Sequence, residues 1–118
     1  MCMGGNTPDS QMLKGTLPLL ILALLGRGDS YGYALVVQLH DAGLSHITTG
    51  TIYPLITRLE HDRLISSYLQ PSGSGPARKY YRLTDAGRAY LRDGTRRWDD
   101  LEVIVSALLH TSNKQELS

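Results

Sequence analysis

From Leu83 the chain reads LTDAGRAYLRDGTRRWDDLEVIVSALLH, a helical pattern that no proline interrupts. No other stretch limits the fold so tightly. Thr84 is a good N-cap, and Asp85 suits the positive end of the helix dipole. Leu91, Gly94, Trp98, Leu101, Val105 and Leu108 then recur at spacings of three and four, as in a packed seam with Gly94 as its one gap. A helix from Asp85 to His110 is about 40 Å long at ~1.5 Å per residue. The whole chain has 118 residues, which points to one domain with a modest core. So long a helix cannot lie wholly on so small a body, and its seam calls for a partner.

The other end of the chain raises the same question. Residues 1–10 are polar, with Gly4, Gly5 and Pro8, and read as a flexible tail. QMLKGTLPLLILALLGRGDS follows, predicting a helix over Gln11–Leu25 closed by Gly26 and Gly28. From Leu17 onward this helix is apolar on every side. Either it is a central core helix, or one face enters the core while Leu17, Leu20 and Leu24 meet a second subunit. The run Leu17–Leu25 is about half of what a bilayer crossing needs, so no membrane partner is expected. The single cysteine, Cys2, allows no intrachain disulfide and suits a reducing compartment. With no recognisable signal peptide, the expected location is the cytoplasm.

Three further elements lie between these ends. DSYGYALVVQLHDAGL predicts a helix over Tyr31–Ala42, with Ser30 as cap, Leu35 and Leu39 on one face and Gly43 as the stop. Tyr33 falls off that face, as an ordinary exposed tyrosine or a phosphate contact. ITTGTIYPLITRLEHDRLI follows (Ile47–Ile65). At about 100° per residue, Ile52, Leu55, Ile56 and Leu59 share one face. Gly50, Pro54, Thr57 and His61 hold the opposite face, flanked by Tyr53 and Arg58. Thr48 is the best N-cap. Pro54 then lies inside the helix, where it cannot donate to the Gly50 carbonyl and its ring crowds that group, so a first-turn distortion is expected. Two strands, about Leu64–Gln70 and Ala77–Leu83, flank the small polar tip PSGSG. In the second strand Tyr81 and Leu83 share a face, while Arg78, Tyr80 and Arg82 share the other.

Helix, helix, helix, hairpin, long helix is the layout of a winged helix–turn–helix, mainly α with a two-stranded β-hairpin. In that layout the third helix enters the major groove and the hairpin touches backbone or minor groove. Thr48, Thr49 and Thr51 set small hydroxyls at a helix N-terminus, where backbone N–H groups also favour phosphate. Such threonines are equally at home as plain caps. Arg58, Arg78, Lys79 and Arg82 supply cations, although scattered basic residues usually form a solvated face. The net charge of +1 is low for a nucleic-acid binder, so any contact must rest on a local patch.

LKGTLPLLILALLGRGDSYGYAL, TTGTIYPLITRLEHDRLI and RKYYRLTDAGRAYL resemble the PadR family of bacterial transcriptional regulators. The resemblance runs from about Met12 to Leu109. The single C-terminal helix is similar to the family's short-chain branch. The resemblance implies a homodimeric winged-helix protein that binds double-stranded DNA at a palindromic operator, usually as a repressor, often released by a small molecule. It implies that the first and last helices form the dimer, through Leu17, Leu20, Leu24, Leu91, Trp98, Leu101, Val105 and Leu108. Some members hold flat aromatic ligands between tryptophans of the last helix, and Trp98 stands at the matching place. Arg78 matches the arginine of the family's wing. The tip PSGSGPA departs from the pattern in being small and uncharged.

The domain expectation is a tail (1–10), a winged-helix DNA-binding domain (11–83), a dimerisation helix (84–110) and a second flexible tail (111–118). The expected DNA contacts are Tyr33, Thr48, Thr49, Gly50, Thr51, Tyr53, Pro54, Thr57, Arg58, Arg78 and Lys79. A small aromatic or hydrophobic effector would sit by Gly94, Trp98 and Leu101, with Gly94 leaving room beside the indole. Trp98 could equally be a plain interface anchor. Two alternatives stand beside this reading: a winged helix used for protein–protein contact, and a metal-responsive regulator. His40, His46, His61 and His110 are dispersed and show no metal-ligand spacing, and no catalytic arrangement is legible, so neither cofactor nor enzyme activity is expected.

Overall fold

Pro18 decides where the first helix begins. The structure, a computed structural model, describes residues 13–117, with side chains for residues 13–111. The expected tail 1–10 and the helix start at Gln11 lie outside the described residues. Helix α1 spans Leu17–Arg27 with Pro18 in its first turn, where no N–H is needed. Instead of one helix from Gln11, the chain turns at Gly15–Thr16, and the Thr16 N–H donates to the Leu13 carbonyl at 3.0 Å. The proline ring would otherwise crowd the carbonyl four residues back. At the far end the helix passes through Gly26, and the Gly28 N–H donates to the Leu25 carbonyl at 3.2 Å.

A two-residue strand, β1 (Ser30–Tyr31), precedes helix α2 (Gly32–Asp41). Ser30 is therefore not the expected cap. It is buried, and its Oγ accepts from Gln38 Nε2 at 3.3 Å, while Tyr31 occupies the cap position without a side-chain bond. His40 Nε2 donates to the Ile47 carbonyl and ties α2 to the turn that follows. Helix α3 spans Thr49–His61 and buries Ile52, Ile56 and Leu59. Thr48 holds the N-cap position, yet its hydroxyl caps nothing and lies 3.4 Å from Thr51 Oγ1. Arg63, at a φ of 62°, turns the chain out of α3.

Strands β2 (Ile65–Gln70) and β3 (Arg78–Leu83) form the expected hairpin, in register from Ile65↔Leu83 to Gln70↔Arg78. Strand β1 adds a third strand on the other side of β3, giving the order β1-β3-β2 with all pairs antiparallel. The final helix, α4, spans Asp85–Leu117 and so runs past His110 through the expected tail. Its start is pinned by Thr84. Thr84 Oγ1 accepts from the Gly87 N–H at 3.0 Å and donates to the Arg63 carbonyl at 2.7 Å, and the Thr84 N–H donates to the Leu64 carbonyl at 3.1 Å. The core lies among α1, α2, α3 and the sheet, around fully enclosed Ile21, Leu22, Leu35, Ile52, Ile56 and Ile65. The extents, 64 × 33 × 20 Å, reflect the length of α4.

Candidate nucleic-acid interface

The outward face of α3 can be laid out from its sequence. At about 100° per residue, Gly50, Pro54, Thr57 and His61 form the centre line, opposite Ile52, Ile56 and Leu59. Thr51 and Arg58 run along one flank, and Tyr53 and Glu60 along the other. All four centre-line residues are exposed. Thr48 and Thr49 are exposed at the N-terminal end. Pro54 lies inside α3, which runs unbroken from Thr49 to His61. Thr57 Oγ1 donates back to the Tyr53 carbonyl at 3.0 Å, which leaves the exposed hydroxyl oxygen able to accept.

The Tyr53 flank meets the wing. A Cβ on Gly32 would come within 2.3 Å of Tyr53 Cε1, so only glycine at the start of α2 lets this ring lie down. Tyr53, Tyr33, Arg78 and Lys79 line a shallow hollow of about 380 Å³ together with Tyr31, Gly32 and Tyr81. Four expected contacts from three elements thus come together. Lys79 is not free there, because its Nζ lies 3.6 Å from Glu60 Oε1. Glu60 is held in turn by the Ser67 hydroxyl, which donates to Oε2 at 2.6 Å.

Arg78 is positioned by an aromatic ladder that the sequence did not reveal. Its guanidinium carbon lies 4.6 Å from the centre of the Tyr31 ring. Tyr31 packs on Tyr80 at 5.4 Å, Tyr80 on Tyr68 at 5.9 Å, and Arg82 closes the row over Tyr68 at 5.9 Å. The Tyr68 hydroxyl donates to Asp29 Oδ2 at 2.7 Å, and this bond to a carboxylate pushes the phenol's pKa up. The signal was present as three tyrosines and two arginines. Pairing Tyr31 into the row required β1, and two residues are too few to show an alternating pattern. The tip between the strands carries no charge, and the Ser72 hydroxyl donates across it to the Pro76 carbonyl at 2.6 Å.

The Arg58 flank faces a groove of about 660 Å³ between α3 and the start of α1. Thr51, Pro54 and Arg58 line it with Lys14 and His46, over a floor of Leu13, Leu17, Ile47 and Leu55.

A second groove, about 750 Å³, lies between α1 and α4. Gly94, Trp98 and Leu101 line it as expected, with Leu19, Tyr90, Arg97 and Val105. A Cβ on Gly94 would stand 2.6 Å from Leu19 Cδ1, so Leu19 packs against α4 at the gap that glycine leaves. Of the expected dimer residues, Trp98, Leu101, Val105 and Leu108 are exposed, whereas Leu20, Leu24 and Leu91 are half-buried against the core. Leu17 is a core residue at 5% exposure and presents nothing to a partner. Among the described residues no group of three or more His, Cys, Asp or Glu could hold a metal ion. No described helix is long and apolar enough to cross a membrane.

Three short helices, a small antiparallel wing and an uncovered polar third helix define a winged helix–turn–helix protein. Its sequence places it more narrowly: the chain belongs to the transcriptional regulator PadR-like family, whose profile matches residues 21–93. Transcriptional regulator Rv3488 of Mycobacterium tuberculosis is 35% identical over 84% of this chain and 92% of its own length. A PadR-like transcriptional regulator of Bacillus cereus superposes with a TM-score of 0.78 at 38% identity, over 84% of this chain and 96% of that one. PadR of Bacillus subtilis, solved in complex with operator DNA, gives a TM-score of 0.63 at 27% identity, over 70% of this chain and 46% of that one.

Proposed function

We propose that the protein is a sequence-specific DNA-binding regulator that acts as a homodimer on a palindromic operator, most simply as a repressor. The observation that carries this reading is the outward face of α3, polar along its length, exposed, and flanked by Arg78 of the wing. Thr48, Thr49 and Gly50 offer hydroxyls and backbone N–H groups at the helix start, where a phosphate is favoured. Thr51, Pro54 and Thr57 face the base edges with Arg58 on their flank, and Tyr33 and Tyr53 fill the angle between α2, α3 and the wing. PadR of Bacillus subtilis, which shares this fold and was solved in complex with operator DNA, supports a DNA-binding role. The test is a gel shift on an operator recovered by in vitro selection. Thr51→Ala with Arg58→Ala weakens binding at least tenfold without lowering the melting temperature. Unchanged affinity removes α3 as the reading helix.

Dimerisation is proposed from α4. Trp98, Leu101, Val105 and Leu108 form an uncovered apolar row, and a patch of that kind on a soluble chain marks an interface. A twofold dimer would present one α3 to each of two half-sites about one helical turn apart. A solution mass of about twice 13.0 kDa is the expected result, and Leu101→Glu returns it to the single-chain mass. An effector is proposed at the Trp98 groove, where a planar apolar ligand can stack on the indole. Trp98 fluorescence that no aromatic compound quenches would make this groove a closed interface instead.

A further inference from the structure

B-DNA's major groove is walled by two phosphate backbones about 12 Å apart. A helix laid into it along the line Gly50–Pro54–Thr57–His61 has one backbone on its Tyr53 flank and the other on its Arg58 flank. The wing serves the first through Arg78. The structure also provides for the second. Lys14, just ahead of the Gly15–Thr16 turn, and His46, from the turn before α3, stand beside Arg58 around one groove, although Lys14 and Arg58 are 44 positions apart in sequence. All three are exposed, and none makes an ion pair among the described residues. No carboxylate among the described residues lines the groove. On the wing flank, by contrast, Glu60 engages Lys79.

We infer that Lys14 and His46, together with Arg58, form a phosphate clamp for the backbone on the side of α3 away from the wing. This rests on the DNA-binding reading above and extends it to residues outside α3 and the wing. Lys14 contributes a mobile ammonium. His46 contributes a ring N–H, which donates to a phosphate oxygen whether or not the ring is charged. Neither touches a base, so together they set affinity and register rather than sequence preference. The clamp would also give a chain of net charge +1 a local basic patch for DNA, because Lys14 and Arg58 line one groove with no carboxylate beside them among the described residues.

The test is the salt dependence of binding, read by fluorescence anisotropy on both the selected operator and a random duplex. Each lost phosphate contact lowers the slope of log K against log salt by about 0.9. Raising salt from about 50 to about 200 mM therefore costs Lys14→Gln roughly 3.5-fold less affinity than it costs the wild type, equally on both duplexes. His46→Gln shifts affinity in the same direction on both duplexes. Arg96→Gln, on α4 and paired with Asp93, leaves the slope unchanged. Phosphate-ethylation interference supplies the second readout. The wild type shows interference on both backbones bordering the groove, and the Lys14→Gln/His46→Gln double variant loses one of them. A wild-type complex whose slope and interference pattern ignore Lys14 and His46 overturns this inference alone. A wild-type chain that binds no duplex overturns the DNA-binding reading and the clamp together.

Discussion

Replacing Gly50 with alanine separates what α3 needs to fold from what it needs to dock. Gly50 is the second residue of α3, and a Cβ there would meet only Thr48 Oγ1, at an ordinary 3.6 Å. The folded chain therefore has room for the methyl. Alanine is favoured over glycine inside a helix by roughly 0.5–1 kcal/mol. For a domain of this size that gain raises the melting temperature by about 2–6 °C. DNA binding should move the other way. The methyl stands on the centre line of the outward face and holds the backbone off whatever it approaches. Losing one hydrogen bond from a backbone N–H to a phosphate costs about 1.5–3 kcal/mol, or about 10- to 150-fold in affinity. Thermal melts and anisotropy titrations on a selected operator measure both effects on one preparation. A higher melting temperature with affinity within twofold of wild type refutes the close approach at Gly50 and leaves it as a turn-shaping residue. A lower melting temperature refutes the helical start itself.

Three other substitutions probe the frame. A Cβ on Gly87 would lie 1.9 Å from the Leu64 carbonyl oxygen, a backbone atom that cannot swing away. Gly87→Ala should cost about 1–3 kcal/mol despite its better helix propensity, and a urea midpoint equal to wild type would show that α4 can shift freely. Arg63 holds a φ of 62° without being glycine, so Arg63→Gly should stabilise by about 1 kcal/mol, seen as a higher urea midpoint with unchanged slope. Burial pushes the Tyr81 phenol above its ordinary 10.0, so the native state holds that proton more tightly than the unfolded chain. The linked stability is intact at neutral pH and is lost as pH rises past 10.0 through the raised native value. Tyr81→Phe should flatten the alkaline fall, and an unaltered fall assigns it to other groups.

Strong periodicity made α3 and α4 legible. Ile52, Ile56 and Leu59 are buried where a helical repeat puts them, and the Thr84 cap precedes a long uninterrupted pattern. Local chemistry misled where a neighbour in space mattered more. Ser30 reads as a cap, yet it is drawn into a strand that exists only because β3 lies alongside. Gly94 reads as a gap, yet Leu19 from a distant helix fills it. Pro18 was readable as the start of α1, and the apolar run around it hid that signal. The interface divides in the same way. Its α3 portion follows from one helical wheel. The ladder that seats Arg78, the Glu60 hold on Lys79 and the grouping of Lys14 with His46 all depend on chain crossings that no single stretch encodes.

The joint at Thr84 has a mechanical consequence. Leu83 ends a strand, Asp85 begins a helix, and the residue between them is fixed by bonds to Arg63, Leu64 and Gly87. These bonds leave the corner little freedom, so a tilt of α4 would act on β3 directly, and β3 carries Arg78 and Lys79 at its opposite end. The long helix and the wing are arranged as the two arms of one bell-crank.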